Sequence, residues 1–278
     1  VDEGVVLGGQ GVRIATYGDM LRVPGTVRSL SDAQASGAKV DVVYGPAQAV
    51  EIARELGDKR DVAVKVNNLG EMRRVRGDSS GAISYYKEAL NGFREIGYQD
   101  YELATLNNLG AVYAELREFK TAEDYLNQVV KITGGKDWWG LYETYLNLAE
   151  TTFAQNNLAA ASDTALKALA EGGKVEDKSI TGKAWRILAQ ISARLGMYME
   201  IDGKAVSTSG CFERSVGCFG DQDPERGHTL RIWAIYEYDF GDNDKAKTLF
   251  QEAYSLFLTL NLPGEAERIQ QNWLPGAV

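Results

Sequence analysis

Apolar and small residues recur along this chain at helical spacing, and that spacing is itself nested in a longer period. VNNLG at 66–70 returns as LNNLG at 106–110, so Gly70 and Gly110 stand 40 residues apart. Twelve residues after each glycine comes an alanine, Ala82 or Ala122, and the chain then reads AISYYKEAL (82–90) or AEDYLNQVV (122–130). Within each half the apolar positions fall three and four apart, the period of a helix with one buried face. GDSSG (77–81) lies between the halves and is polar and glycine-rich, which predicts a turn. A small residue late in the first helix and another early in the second let two antiparallel backbones approach, with Leu69, Tyr113, Tyr86 and Leu126 filling the space around them. Self-similarity at about 20 to 50 residues marks a solenoid.

The same pattern reads along the rest of the chain. AVEIARELGD (49–58) aligns with ALNGFREIGY (89–98) at an offset of 40 and is expected to be the second helix of a pair whose first helix is degenerate. Gly57-Asp58 should end it, as a glycine just past the last apolar position does. A third pair opens at WWGLYETYLNLAE (138–150), where Leu148-Ala149 replaces Leu-Gly and Ala161 follows Ala149 by twelve. The shortened linker ITGGKDWW (132–139) predicts an altered angle there, with Trp138 and Trp139 capping the preceding core in preference to one of them wedging between repeats. The fourth pair opens at GKAWRILAQISARLG (182–196), needs an insertion of about four residues near 199–203, expected as a loop, and closes with CFERSVGCFG (211–220). LRIWAIYEYDFGDNDKAKTLFQEAYSLFLTL (230–260) is a fifth pair, and PGEAERIQQNWL (263–274) has the proline start and polar character of a terminal cap. The expected class is all-α: a solenoid of tandem antiparallel helix pairs over 46–262, with a capping helix and tail over 263–278. Residues 1–45 hold eight glycines and are either a degenerate first repeat, since YGDMLRVPG (17–25) echoes LGEMRRVRG (69–77), or a leader left from an upstream domain.

Leu69-Gly70, Gly77, Ala82, Tyr86 and Ala89, repeated as Leu109-Gly110, Tyr113, Phe119 and Ala122, resemble the tetratricopeptide repeat in its long-period form. The resemblance implies a right-handed superhelix whose first helices line a concave groove for a peptide or a partner's helix. Reading outward from each small-residue pair, the groove candidates are Asn67, Glu71, Arg74, Asn107 and Ala111, then Glu143, Leu146 and Glu150. Arg186, Gln190, Arg194, Arg231 and Tyr238 complete the set. Positions 67, 71 and 74 share one helical face, i, i+4, i+7. Among the asparagines, Asn67 and Asn107 are expected to face a partner. Asn68 and Asn108 are expected mainly to pack, although Asn108 stays in the candidate set because an amide offers both a donor and an acceptor to a peptide backbone. The groove is expected to run from mixed character to acidic at Glu143 and Glu150 and then to basic at Arg186, Arg194 and Arg231, which would suit a partner carrying both signs of charge.

Composition narrows the rest. A net charge of −9 disfavours nucleic acid, whose binding needs Lys and Arg on phosphates. No run of about 18 apolar residues predicts a membrane span, no signal peptide is visible, and a cytoplasmic protein is expected. GGQG (8–11) lacks both the Lys-Ser/Thr ending of a phosphate loop and the third glycine of a dinucleotide fingerprint, so no nucleotide or other cofactor is expected. Cys211 and Cys218 lie seven apart on one predicted helix, about 10 Å of rise, which predicts two free thiols. With His228 the single histidine, neither a metal cluster nor a catalytic set is expected, and the chain reads as a non-enzyme. The first reading is an interaction scaffold with a protein or peptide partner. The alternative is a regulatory segment of a larger signalling chain, because 212–257 resembles the repeat tails that follow ATPase modules in bacterial regulators and cyclases. A start without Met suits such a fragment.

Overall fold

A computed structural model describes residues 46–135 and 138–273, and the readings made for residues 1–45 and for the tail after 273 lie outside them. Among the described residues twelve helices follow one another, interrupted once by a hairpin. Their boundaries follow local chemistry. Asp58, Asp78, Asn157, Asp177, Ser207, Asp223 and Asp242 each cap a helix by accepting from a backbone N–H of the first turn. The turns need one residue at positive φ, supplied by Gly57, Gly77 and Gly97 in the early repeats and by Arg117 and Asn156 later.

The described residues divide into two compact units, one on each side of the boundary between Tyr125 and Leu126. In the first, α1 (Pro46–Glu55), α2 (Lys59–Val75), α3 (Ser79–Glu95) and α4 (Gln99–Glu115) pack in sequence. α5 (Phe119–Thr133) starts in this unit and ends in the next. First helix α4 also touches first helix α2, the nearest-neighbour contact of a solenoid. The core is Val50, Ala63, Val66, Ala89 and Phe93. Phe93 is fully buried, which stabilises by about 1.5–3 kcal/mol relative to an exposed ring. Gly70 is glycine for space: a Cβ there would stand 2.7 Å from the Tyr86 ring, itself fully buried.

The second unit holds α6 (Leu141–Ala154), α7 (Leu158–Lys174), α8 (Lys178–Leu195), α9 (Thr208–Cys218), α10 (Pro224–Phe240), α11 (Asn243–Thr259) and α12 (Pro263–Trp273). Consecutive helices pack, and so do the first helices α6 with α8 and α8 with α10. The insertion expected as a loop is instead an antiparallel hairpin, β1 (Met199–Ile201) and β2 (Lys204–Val206), pairing Met199 with Val206 and Ile201 with Lys204. Three-residue strands are too short for a period-2 signal, yet Met199, Ile201 and Val206 all turn inward. Of the two tryptophans at the unit's start, Trp138 is buried and Trp139 is exposed. Both cysteines are free thiols within one helix, as the spacing required.

A buried carboxylate fastens the far end of this unit. Glu237, 4% exposed, accepts from Ser209 Oγ at 2.7 Å, Trp233 Nε1 at 2.8 Å, Lys245 Nζ at 3.1 Å and the Asp242 amide at 3.3 Å. Burial pushes its pKa up, but these donors outweigh burial and hold it below the usual carboxylate range. Polar groups of three helices, α9, α10 and the start of α11, thus meet on one side chain.

Candidate functional site

Because first helices stack on first helices inside each unit, the residues one turn apart on them form continuous stripes. In the first unit the stripe is tied together across repeats. Asn67 accepts from Thr105 Oγ1 at 3.1 Å, linking α2 to α4. Glu71 accepts from the Tyr86 hydroxyl at 2.6 Å and pairs with Arg74 at 3.2 Å, while Arg74 reaches Glu115 at 3.0 Å. Burial opposes the Arg74 charge, and its bonds to Glu115 and Glu71 more than restore it. Tyr86 is pushed well above the usual phenol range by burial and then by the Glu71 bond. Asn107 lies at 6% exposure, too deep to meet a partner, and Asn108 is half-buried.

In the second unit the predicted residues divide into committed and open groups. Arg186 donates to Glu225 at 2.5 Å and leans on Thr229, and Lys183 joins the same carboxylate at 3.3 Å. Burial raises the Glu225 pKa, but Arg186 and Lys183 bring it below the usual range. Arg194 lies 4.0 Å over the Phe153 ring and donates to Asn156 at 3.3 Å. Arg231 stands 3.7 Å from Glu265, and exposed Tyr238 meets the edge of Trp273. Gln190 is half-buried, with a long 3.4 Å bond to the Arg186 carbonyl. Leu146 is buried and belongs to the core. The basic end read from Arg186, Arg194 and Arg231 is therefore largely answered inside the protein.

Glu143 and Glu150 differ. Both are exposed on α6, and among the described residues neither has a hydrogen bond or an ion pair. Surrounding protein nevertheless desolvates both and raises both pKa values, with Asp177 adding to the effect at Glu143, and with Arg186 and Lys183 opposing it at Glu150. Both carboxylates are thus accessible yet partly desolvated by the protein around them.

Reading the sequence one residue at a time missed Thr105, Glu115, Lys183 and Glu225. A signal was present: Asn67–Thr105, Arg74–Glu115 and Arg186–Glu225 are separated by 38, 41 and 39 residues. Complementary side chains one repeat apart face each other across neighbouring first helices. A cavity of roughly 460 Å³ also opens in the first unit, floored by Val62, Ala63 and Val66. Its rim charges pair with one another, Arg54 with Glu88 and Lys59 with Glu95, so it offers a ligand no uncompensated charge. Among the described residues no His, Cys, Asp and Glu group could hold a metal, and no helix is long and apolar enough to cross a membrane.

Comparison with known proteins agrees with the helix-pair geometry. The tetratricopeptide repeat family matches residues 61–134. These are tetratricopeptide repeats. Solved structures with the same fold include BtubC (BKLC) from P. vanneervenii, with a TM-score of 0.62 at 19% identity over 78% of this chain and 89% of that one. A plasmid's Rap conjugation gene regulator, solved in complex with a Phr peptide, gives 0.60 at 14% identity over 78% of this chain and 60% of that one. A signal transduction ATPase with a tetratricopeptide repeat sensor from Pyrococcus horikoshii gives 0.61 at 18% identity, over 81% of this chain and 34% of that one.

A second family, described as hydrogenase formation, hypA family, matches residues 1–67 and so reaches through α1 into α2. Over 66 of its residues the chain is 39% identical to a putative hydrogenase expression/formation protein of Methanocaldococcus jannaschii. That match spans 24% of this chain and 18% of the relative's length.

Proposed function

We propose that this tetratricopeptide-repeat chain is a non-catalytic scaffold that holds a peptide or a partner's helix on the face made by its first helices. The observation that carries the reading is the α6 stripe, where Glu143 and Glu150 stay accessible and unpaired while the neighbouring cations are committed to Glu225. The cross-repeat bonds Asn67–Thr105, Arg74–Glu115 and Arg186–Glu225 keep adjoining helices in register, so a partner meets a surface whose ordering is already complete. A fold shared with a regulator solved around a peptide supports this reading.

We further propose that the repeat array spans 46–262, with 263–278 as its terminal element. The hydrogenase-formation match favours a separate origin over a degraded repeat for the first 45 residues, and because it runs on to residue 67 it also overlaps α1 and the first half of α2 at the start of that array. A second reading, a sensor segment within a larger signalling chain, draws on the likeness to the ATPase-linked repeat sensor. In either reading the first-helix face is the contact surface.

The test is photocrosslinking in the native cell. A benzophenone amino acid placed at position 150 or 190, on first helices, should capture a protein partner, while one at position 163 or 170, on second helix α7, should not. Capture confined to α7 positions would refute the assignment of the face.

A further inference from the structure

We infer that the α6 face of the second unit recognises an extended basic segment in which two Lys or Arg side chains lie about 10 Å apart, one meeting Glu143 and the other Glu150. The inference rests on the first-helix face being the contact surface and adds what kind of partner it takes. Glu143 and Glu150 are seven residues apart on one helix, so they share a face and are separated by about 10.5 Å of rise. That distance is far too long for both carboxylates to bind one metal ion, whose oxygen ligands sit at roughly 2.0–2.6 Å. It matches residues i and i+3 of a polyproline II segment, which project on one side every turn, about 9.3 Å.

Charge points the same way. The carboxylates that face this stretch are Glu143, Glu150, Asp177 and Glu225, and the cations among them are Lys183 and Arg186. Both cations make their direct ion pairs with Glu225, at 3.3 and 2.5 Å, and act on Glu143 and Glu150 only through space. The next cation along, Arg194, is held over Phe153 beyond the Glu150 end. Two negative charges are thus left without a direct partner on a surface where water solvates them poorly, and an incoming ammonium or guanidinium relieves that without displacing an existing ion pair. Gln190, only loosely bonded to the Arg186 carbonyl, is available on the adjoining first helix to meet the segment's backbone.

The measurement is fluorescence anisotropy on the full chain with labelled octapeptides of the form Gly-Pro-Lys-Pro-Pro-Arg-Pro-Gly. Controls carry Glu at both charged positions, or Lys and Arg side by side. The spaced basic peptide should bind at least about tenfold tighter than either control and tighter than spermidine, and binding should weaken from 50 to 300 mM salt. The double variant Glu143→Gln/Glu150→Gln should lose about tenfold, while Glu267→Gln on α12 changes nothing. Both carboxylates are exposed, so the double variant should keep the wild-type far-UV spectrum. If the acidic or closely spaced peptide binds equally well on this face, or the double variant binds as wild type does, the charge reading is overturned and the contact face stands. If no peptide binds and the crosslinker at 190 captures nothing, both fall.

Discussion

Replacing Glu237 by alanine should destabilise the second unit by about 2–4 kcal/mol. The carboxylate is 4% exposed and receives four donors. Truncation leaves the Trp233 N–H, on a ring 6% exposed, and the Asp242 amide without an acceptor, each costing about 1–3 kcal/mol. Lys245 contributes less, because its side chain is 36% exposed and can rehydrate. Glu237→Gln tests the origin of the loss. Its amide oxygen can still accept from Ser209 and Trp233, so it should cost only about 1 kcal/mol, chiefly from an NH2 group set against the Asp242 N–H. Gly241 supplies an independent check, since a Cβ there would come within 2.1 Å of Glu237 Oε2. Gly241→Ala should therefore be costly in the wild type and much milder beside Glu237→Ala, a coupling that a double-mutant cycle reads directly. Urea unfolding followed by far-UV circular dichroism measures the wild type and all four variants, with the slope checked for loss of two-state behaviour. A loss below about 0.5 kcal/mol for Glu237→Ala, or additive behaviour with Gly241→Ala, would refute the reasoning.

Three further outcomes follow from the same geometry. Glu237 and Glu225 both have depressed pKa values, so the stability they contribute is complete above their unfolded value of about 4.3 and is lost as pH falls through their lower folded values. Acid titration of stability should show this limb, and Glu237→Gln should flatten it. Gly70→Ala places a methyl against the Tyr86 ring and should cost about 1–3 kcal/mol despite better helix propensity; calorimetry should show a lowered Tm, restored in part by Tyr86→Leu. Burial pushes the Cys211 thiol up to about 11 and raises Cys218 as well, so alkylation near pH 7.5 should be slow, with half-buried Cys218 modified first and Cys211 only on unfolding.

The helix pairs were legible because their causes are local and repeated. Gly70 and Ala82 mark where two helices approach, and Gly57-Asp58 and GDSSG (77–81) mark the breaks between helices, all readable from residue type and spacing. The hairpin at 199–206 escaped, since six paired residues carry too little periodicity to separate strand from loop. The site was only half legible. Spacing placed Glu71, Arg74, Glu143, Glu150 and Arg186 on first helices, but charge type alone could not say which were already answered. That depends on side chains about forty positions away, Thr105, Glu115 and Glu225, brought opposite by the stacking of one repeat on the next. By itself, then, the sequence determined the helices and their order of stacking, because both follow from contacts between neighbours in the chain. Only the tertiary structure decided that Asn107 is buried, that Arg186 belongs to Glu225, and that Glu143 and Glu150 are left open, because pairing and desolvation are properties of residues the chain keeps far apart until it folds.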